Sequence, residues 1–453
     1  MTQILNAELE IPRWIVTSIA GTDNAPVAFP DGLTTGRPPN DIGLAGSAGF
    51  GVGVCPGPLP AGMAPLFGYD NPAADNYGNY LYSDGSVMVW IPAFYYKYGT
   101  GANGFAVNLV DIKPFSAYAD VATAAAAGYA LHRAFYDGGM AAGFFVDKYV
   151  PSANAGTASS LRLGNPLSTA AAHNPIGGLT GAPANFYYGC IAAAKTRGAN
   201  FFPSSRFIQA ALALLALAHA QASTSTAWNA WYDAAGVTNF PKGNNNNALG
   251  DANDAAILYV WDNYAGNNSG KTGSANLFAR TTHNGQNSGV SDLNGNMWEI
   301  ALGLVTETAG TTFSVLKTGA RMKDMTSGVG GALDLWGTAA QLAANYDVLG
   351  ATYGALTASS SNKPFGNAAQ VLSEATSGLA WQAAGAGIPL VGGTGGTNLF
   401  GNDYCLDYRP GDMCPLAGGY WSGGANAGVW ALALDAVRGY SDAGVGFRAA
   451  LYL

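Results

Sequence analysis

The sequence predicts a mixed α+β chain, rich in loops, with short antiparallel strands and few helices. Three observations lead there. Among 453 residues, 63 are glycine and only 11% are charged, so turns and a surface of amides, hydroxyls and backbone dominate. A single stretch, Phe207 to Ala220, has the Ala/Leu run of a confident buried helix. Elsewhere apolar residues alternate over short runs that Gly, Asn, Asp and Pro punctuate.

From about Gly21 to Asn79 the chain is rich in Gly, Pro, Asn and Ala, with no sustained period of 2 or 3.6. Residues 1–84 therefore read as an irregular segment for attachment or oligomerisation. At Gly85 the texture changes. GSVMVWIPAFYYKYG, then GFFVDKYV from Gly143 to Val150, alternate as strands do, and they open a domain over residues 85–453. In NFFPSSRFIQAALALLALAHAQAS, Pro203 and Ser204 or Ser205 stand where a helix start wants its proline or its capping hydroxyl. The apolar run that follows is too short to span a bilayer and carries Gln209 and His219, which points to a buried helix without membrane insertion.

Beyond the helix, turn signals recur in PKGNNNNALGDANDA, DNYAGNNSGKTG and TTHNGQNSG. So long a loop region needs its backbone tied down by short strands, bound ions or dense side-chain amide bonding. MWEIALGLV and SVLKTG then return to strand-like texture. Along GVWALALDAV, Trp430, Leu432 and Leu434 share one face and Val429, Ala431, Ala433 and Asp435 the other, the period of a half-buried strand. GVGFRAALYL is the expected partner strand, across a turn from Gly439 to Gly444.

The formal net charge is −8 and the pI near 4.9, with no basic stripe, which argues against a nucleic-acid partner. MTQILNAELEIPRW lacks a basic region followed by an apolar one, so folding in a cytoplasm is expected. Cys55, Cys190, Cys405 and Cys414 fit no zinc motif and no disulfide framework; Cys405 and Cys414 could pair in an oxidising exterior.

No catalytic constellation emerges. NSGKTG ends like a phosphate-binding loop, but the first glycine of that pattern falls at Ala265, and GFGVGV at Gly49 lacks the flanking strand and helix of a dinucleotide loop. His132, His173, His219 and His283 are scattered singly; His219 reads as a helix-end residue and His283 as a loop hydrogen-bonder. Asn244 to Asn247, with Asp251, Asn253 and Asp254, offers hard oxygens without the spacing of an EF-hand and reads as a solvated loop.

SGVSDLNGNMWEIALG, from Ser288 to Gly303, resembles a signature motif of the formylglycine-generating enzyme (sulfatase-modifying factor) family, a variant of the C-type lectin fold. FFVDKYVPS at Phe144, FFPSSRFIQAALAL at Phe201, LAGGYWSGG at Leu416 and VGFRAA at Val445 resemble other pieces of that family, in the same order. The resemblance covers about Gly85 to Leu453. It implies a structural calcium around Asn294, Gly295, Met297 and Glu299, with Trp298 as a core anchor. The enzymes of this family carry a cysteine directly after the G-F-R; here that position is Ala449. Thiolate chemistry cannot be built from alanine, so enzymatic activity is not expected to carry over, and no cofactor beyond that possible calcium is required.

The same scaffold serves the variable proteins of diversity-generating retroelements, the phage tropism-determinant type among them, and residues 418–453 resemble their variable region. In that family template adenines are miscopied, so asparagine codons become codons for Tyr, Ser, Asp, Gly or Ala while the Gly/Trp/Phe frame stays. The resemblance implies a ligand face at Tyr420, Ser422, Asn426, Ala433, Asp435, Ala436, Gly439, Tyr440, Ser441 and Asp442, on a frame of Trp298, Trp421, Trp430, Phe447 and Arg448. Interchangeable small residues beside occasional aromatics also suit a paratope. The expectation is a phage tail-tip or tail-fibre adhesin that binds a host-cell protein or glycan, forms homotrimers, joins other tail proteins through its N-terminal segment and ends up in the virion. The rivals are an undiversified virion or bacterial surface protein of the same fold, or a divergent oxidoreductase.

Overall fold

The computed structural model describes residues 37–180, 187–232, 240–306, 313–326, 343–349, 362–365, 369–390, 400, 403–406 and 413–453. Among them the fold is mixed α+β: short strands in small, mostly antiparallel sheets, few helices and long connecting loops. A six-stranded antiparallel sheet runs in the order Met63–Pro65, Asn79–Tyr82, Val87–Pro92, Gly143–Asp147, Ala449–Tyr452, Phe202–Pro203. Its central strands carry aromatic and β-branched side chains on both faces, and Val87–Pro92 is buried at every residue.

Two strands of this sheet, Met63–Pro65 and Asn79–Tyr82, come from the segment assigned to attachment. A boundary at residue 85 falls in the hairpin turn between Asn79–Tyr82 and Val87–Pro92, whose strands pair residue for residue. The first 36 residues of that segment lie outside the described residues. GSVMVWIPAFYYKYG forms two strands, Val87–Pro92 and Phe94–Tyr98, with Ala93 as the break; the second pairs with Val110–Pro114 in a separate sheet.

The expected helix spans Arg206–Ala222, and the Ser205 Oγ caps it by accepting from Ile208 N at 3.2 Å. It is buried from Arg206 to His219. His219 stands in the last turn, as the helix-end reading has it, and is buried there: its Nδ1 accepts from Gly46 N at 3.0 Å and its Nε2 lies 2.9 Å from Trp228 O. Among the described residues no helix is long and apolar enough to cross a membrane.

A second six-stranded sheet, of mixed direction, has the order Asn362–Pro364, Tyr404–Leu406, Leu432–Ala433, Leu416–Ala417, Trp298–Ile300, Val445–Gly446. It corrects the expected C-terminal hairpin. GVWALALDAV keeps only Leu432–Ala433 as strand, held between two neighbours, and Val429, Ala431 and Ala433 are buried like Trp430, Leu432 and Leu434. Alternation tells which residues share a face, not whether that face meets solvent. GVGFRAALYL splits at Phe447 and Arg448: Val445–Gly446 pairs in parallel with Trp298–Glu299, and Ala449–Tyr452 joins the first sheet.

That split is held by Arg448, which is fully buried. Its Nη2 donates to Glu299 Oε1 at 2.7 Å and to Ser291 O at 2.8 Å, and its Nη1 to Asp147 O at 2.8 Å and Lys148 O at 3.1 Å. Asp147 in turn takes Arg197 in a two-pronged pair and accepts Ala449 N at 2.9 Å. The DKY, DLNGNMWE and GFR pieces thus meet at one buried polar knot.

Candidate ligand-binding site

After Ala433 the chain leaves the second sheet through Asp435 to Ala443 and returns at Val445 beside Trp298. This excursion and the Gly418–Gly428 loop wall an open cleft of about 490 Å³. Six of the ten sequence-predicted face residues line it: Tyr420, Ala433, Asp435, Ala436, Tyr440 and Asp442. Trp298 and Tyr404 complete its aromatic lining. Wider depressions around Lys317–Arg321 and around Arg280 carry none of the predicted residues.

The expected face is not uniformly exposed. Ala433 and Ala436 are 3% and 7% exposed and form floor, whereas Tyr440 is 44% exposed and stands at the rim. Gly439 is exposed, and a side chain built on it would meet open space. Ser441 turns its hydroxyl back to Thr169 O. Ser422, half-buried, and Asn426, exposed, sit on the neighbouring loop outside the cleft. Trp430 and Phe447 are buried; Trp430 N donates to Asp403 Oδ2 at 2.9 Å and its ring packs on Phe365 and Phe400. Trp421, expected in the frame, is half-buried, with its ring 5.5 Å from that of Tyr420.

The aromatic lining is ordered. The Trp298 ring lies 6.3 Å from Tyr420, nearly parallel at 21°, and 6.1 Å from Tyr404 at 90°. Burial, and then the Asp435 charge, push the Tyr404 phenol above its usual range; burial, and then Asp442 and Asp435, do the same to Tyr440. Both phenols stay neutral at pH 7 in a cleft whose formal charges, among the described lining residues, are two carboxylates.

Two supports hold this surface: one is the dense side-chain amide bonding expected of this loop region, at residues that were not singled out for it, and the other was not foreseen. The first is the asparagine run, only partly the solvated loop expected: Asn244 and Asn245 are fully buried, while Asn246 and Asn247 are exposed. Asn244 Nδ2 donates to Asn296 Oδ1 at 2.9 Å, and Asn245 Nδ2 to Asn294 Oδ1 and Asp251 Oδ2, each at 3.1 Å. The same loop gives backbone bonds to the face, from Asn247 N to Trp421 O at 2.8 Å and from Gly424 N to Asn245 O at 2.7 Å. Side-chain amides thus replace sheet hydrogen bonds across a region with few strands.

The second support is a buried histidine–carboxylate pair. His173 Nε2 lies 2.6 Å from Asp262 Oδ2, and its Nδ1 lies 3.1 Å from Ala443 O on the cleft-forming excursion. Ser269 Oγ donates to the same Asp262 oxygen at 2.6 Å. Burial pushes the Asp262 carboxyl up, but bonds from His173, Ser269 and Tyr264 N outweigh it and hold it below its usual value. A depressed carboxyl pKa stabilises the fold above its unfolded value, and that share is lost as pH falls through the folded one. Asp262→Asn is therefore expected to lower the melting temperature at pH 7, and the gap to the unsubstituted chain should close below about pH 4. Melting curves at pH 7, 4 and 3 check this.

The implied calcium ligands are placed differently from a cation cage. Glu299, the one carboxylate of the set, faces the Arg448 guanidinium, and Asn294 gives its amide to Pro241 O. A cation would have to displace a buried guanidinium, so this donor set does not fit calcium. Among the described residues no group of three or more His, Cys, Asp or Glu stands close enough to hold a metal. Ala449 is fully buried and paired with Pro203. Cys405 and Cys414 are both buried, Cys405 on the Tyr404–Leu406 strand and Cys414 just before Leu416–Ala417, with Leu432–Ala433 between those strands. No family model matches the sequence, and no curated protein matches it significantly.

Proposed function

We propose that this chain is a binding protein of C-type lectin fold whose C-terminal stretch displays a diversifiable ligand face. More particularly, it acts as a receptor-binding protein of a phage tail and attaches the particle to a host-cell surface. One observation carries the reading: Tyr420, Asp435, Tyr440 and Asp442, of types reachable from asparagine codons, converge on one cleft floored by buried Ala433 and Ala436, while the frame residues Trp430, Phe447 and Arg448 are buried. Tolerance to substitution needs side chains that the core does not use, held by a frame that does not move with them. The lectin-fold reading is supported by the meeting of Asp147, Glu299 and Arg448, which come from three separate motif pieces. Binding rather than oxidoreductase chemistry follows from alanine at position 449, where a thiol would be needed. Display as a homotrimer, with the N-terminal segment joined to other tail proteins, would multiply weak single-site affinity.

Labelled chain is expected to bind intact bacteria of a susceptible strain, and Tyr420→Ala with Tyr440→Ala to cut that binding by about tenfold or more while the chain still folds cooperatively, with a melting temperature lowered by the lost Tyr420 packing. Undiminished binding by the folded double variant would refute the assignment of the face.

A further inference from the structure

The chain has four histidines, and the surroundings of His173 differ from those of the other three. His219 and His283 each accept a backbone N–H at Nδ1, from Gly46 at 3.0 Å and Val290 at 3.1 Å, and donate from Nε2 to a carbonyl, of Trp228 at 2.9 Å and Gly51 at 3.0 Å. His132 Nδ1 accepts Ala134 N at 3.2 Å. One proton per ring serves these three. His173 instead meets an acceptor at each nitrogen: Asp262 Oδ2 is 2.6 Å from Nε2, and Ala443 O is 3.1 Å from Nδ1. A carbonyl cannot donate, and bonds from Ser269 Oγ and Tyr264 N keep Asp262 in its acceptor-only, ionised form. Both contacts are hydrogen bonds only if the ring carries two protons. The other groups at the ring are neutral: Asn174 Nδ2 is 3.2 Å and Ser269 Oγ 3.5 Å from Nε2, and the Tyr264 ring centre is 4.2 Å away. Asp442, beside Ala443, turns its Oδ1 to Gly444 N at 2.7 Å.

We infer that His173 is a positioning residue for the ligand face: its imidazolium, buried between Asp262 and Ala443 O, holds the cleft-forming excursion in the arrangement that binds. This rests on the cleft being the ligand face proposed above. When the ring gives up one proton, the other stays on Nε2, 2.6 Å from a carboxylate, and the Nδ1 lone pair is left facing Ala443 O. The bond lost is therefore the one to the cleft wall. The rest of the His173 loop grips the same excursion with neutral groups: Asp442 N donates to Thr169 Oγ1 at 3.0 Å, Thr169 N to Val445 O at 2.7 Å, and Ser441 Oγ to Thr169 O. Those bonds do not change with pH, so the response of this grip to pH resides in His173. Tyr440 and Asp442, which line the cleft, ride on the segment it holds. Adhesion is full while His173 is charged and falls as rising pH removes its second proton.

The test uses the full chain with nitrogen-15 in its histidine rings. Burial pushes His132 down to about 3 and His219 and His283 to about 4, so at about pH 6 a ring with two protons is that of His173. Its resonances are followed from about pH 6 to the pH at which the second proton leaves, beside amide hydrogen exchange of residues 435–445 and binding of labelled chain to intact bacteria of a susceptible strain. Both nitrogens are expected to be protonated at about pH 6. On loss of one proton, exchange of the segment should rise beyond the intrinsic effect of pH, and cell binding should fall about fivefold or more with the same midpoint. His173→Gln should bind more weakly at about pH 6 and lack that step. A singly protonated ring at about pH 6, or exchange and adhesion that stay unchanged across the titration, overturns the inference. Exchange that follows the titration, in a chain whose adhesion Tyr420→Ala with Tyr440→Ala leaves intact, keeps the role of His173 in holding the excursion and removes the proposed face.

Discussion

Arg448→Ala is expected to leave the chain unable to hold its native fold at 37 °C. The guanidinium is fully buried and joins Glu299 to the carbonyls of Asp147, Lys148 and Ser291. Its removal strands a buried carboxylate, at about 3–5 kcal/mol, and leaves three carbonyls without this donor. A typical domain has only about 5–15 kcal/mol in total. Arg448→Met combined with Glu299→Leu should recover part of the loss, because the stranded charge disappears while the carbonyls remain unbonded. Urea midpoints of the single and double variants check this; a single variant within about 1 kcal/mol of the parent chain would contradict the account of the knot.

Gly243→Ala is expected to cost about 3 kcal/mol or more and to abolish ligand binding with it. A Cβ at this position would stand 1.4 Å from Asn294 O and 2.5 Å from its carbonyl carbon, both backbone atoms. Neither loop can withdraw freely: Asn296 N donates to Asn244 O at 2.6 Å, and Asn245 Nδ2 holds Asn294 Oδ1. Trp421 N also donates to Asn296 O at 3.1 Å, so displacement of this junction carries the Tyr420 wall of the cleft with it. Thermal melting together with cell binding checks the coupling. A variant that melts near the parent temperature, or that melts lower but still binds, would separate the asparagine network from the face.

Much of the frame was legible because its chemistry is local. Ser205 ahead of an Ala/Leu run gave the helix, and the short alternating runs gave strands at Val87–Pro92 and Gly143–Asp147. Pairing was not legible at the C-terminus. Ala433 sits on an alternating run, yet it is 3% exposed on the floor of the cleft in a strand paired along both edges, and alternation says nothing of what a strand lies between. The split between Val445–Gly446 and Ala449–Tyr452 depends on where Arg448 finds Glu299, 149 positions away in sequence.

The site was half legible. Tyr420, Asp435, Tyr440 and Asp442 stood out by their types, but Trp298 and Tyr404 join the cleft only through parallel pairings that no hairpin signal announces. The asparagine run was visible as turn-forming sequence; its burial was not, because an asparagine that bonds water and one that bonds Asn296 look alike. A buried amide network has one sequence trace, several Asn and Asp residues in loops whose glycines cannot accept a side chain. Gly243 and Gly295 fit that description here.

The most direct test is to sequence this gene across many independent isolates or phage progeny and compare Tyr420 to Gly444 with the remainder of the chain. The account predicts substitutions concentrated at positions such as Tyr420, Asp435, Tyr440 and Asp442 and restricted to codons derived from asparagine, with Trp430, Phe447, Arg448 and the Asn244–Asn296 network constant. A window no more variable than DLNGNMWE would contradict a diversified face.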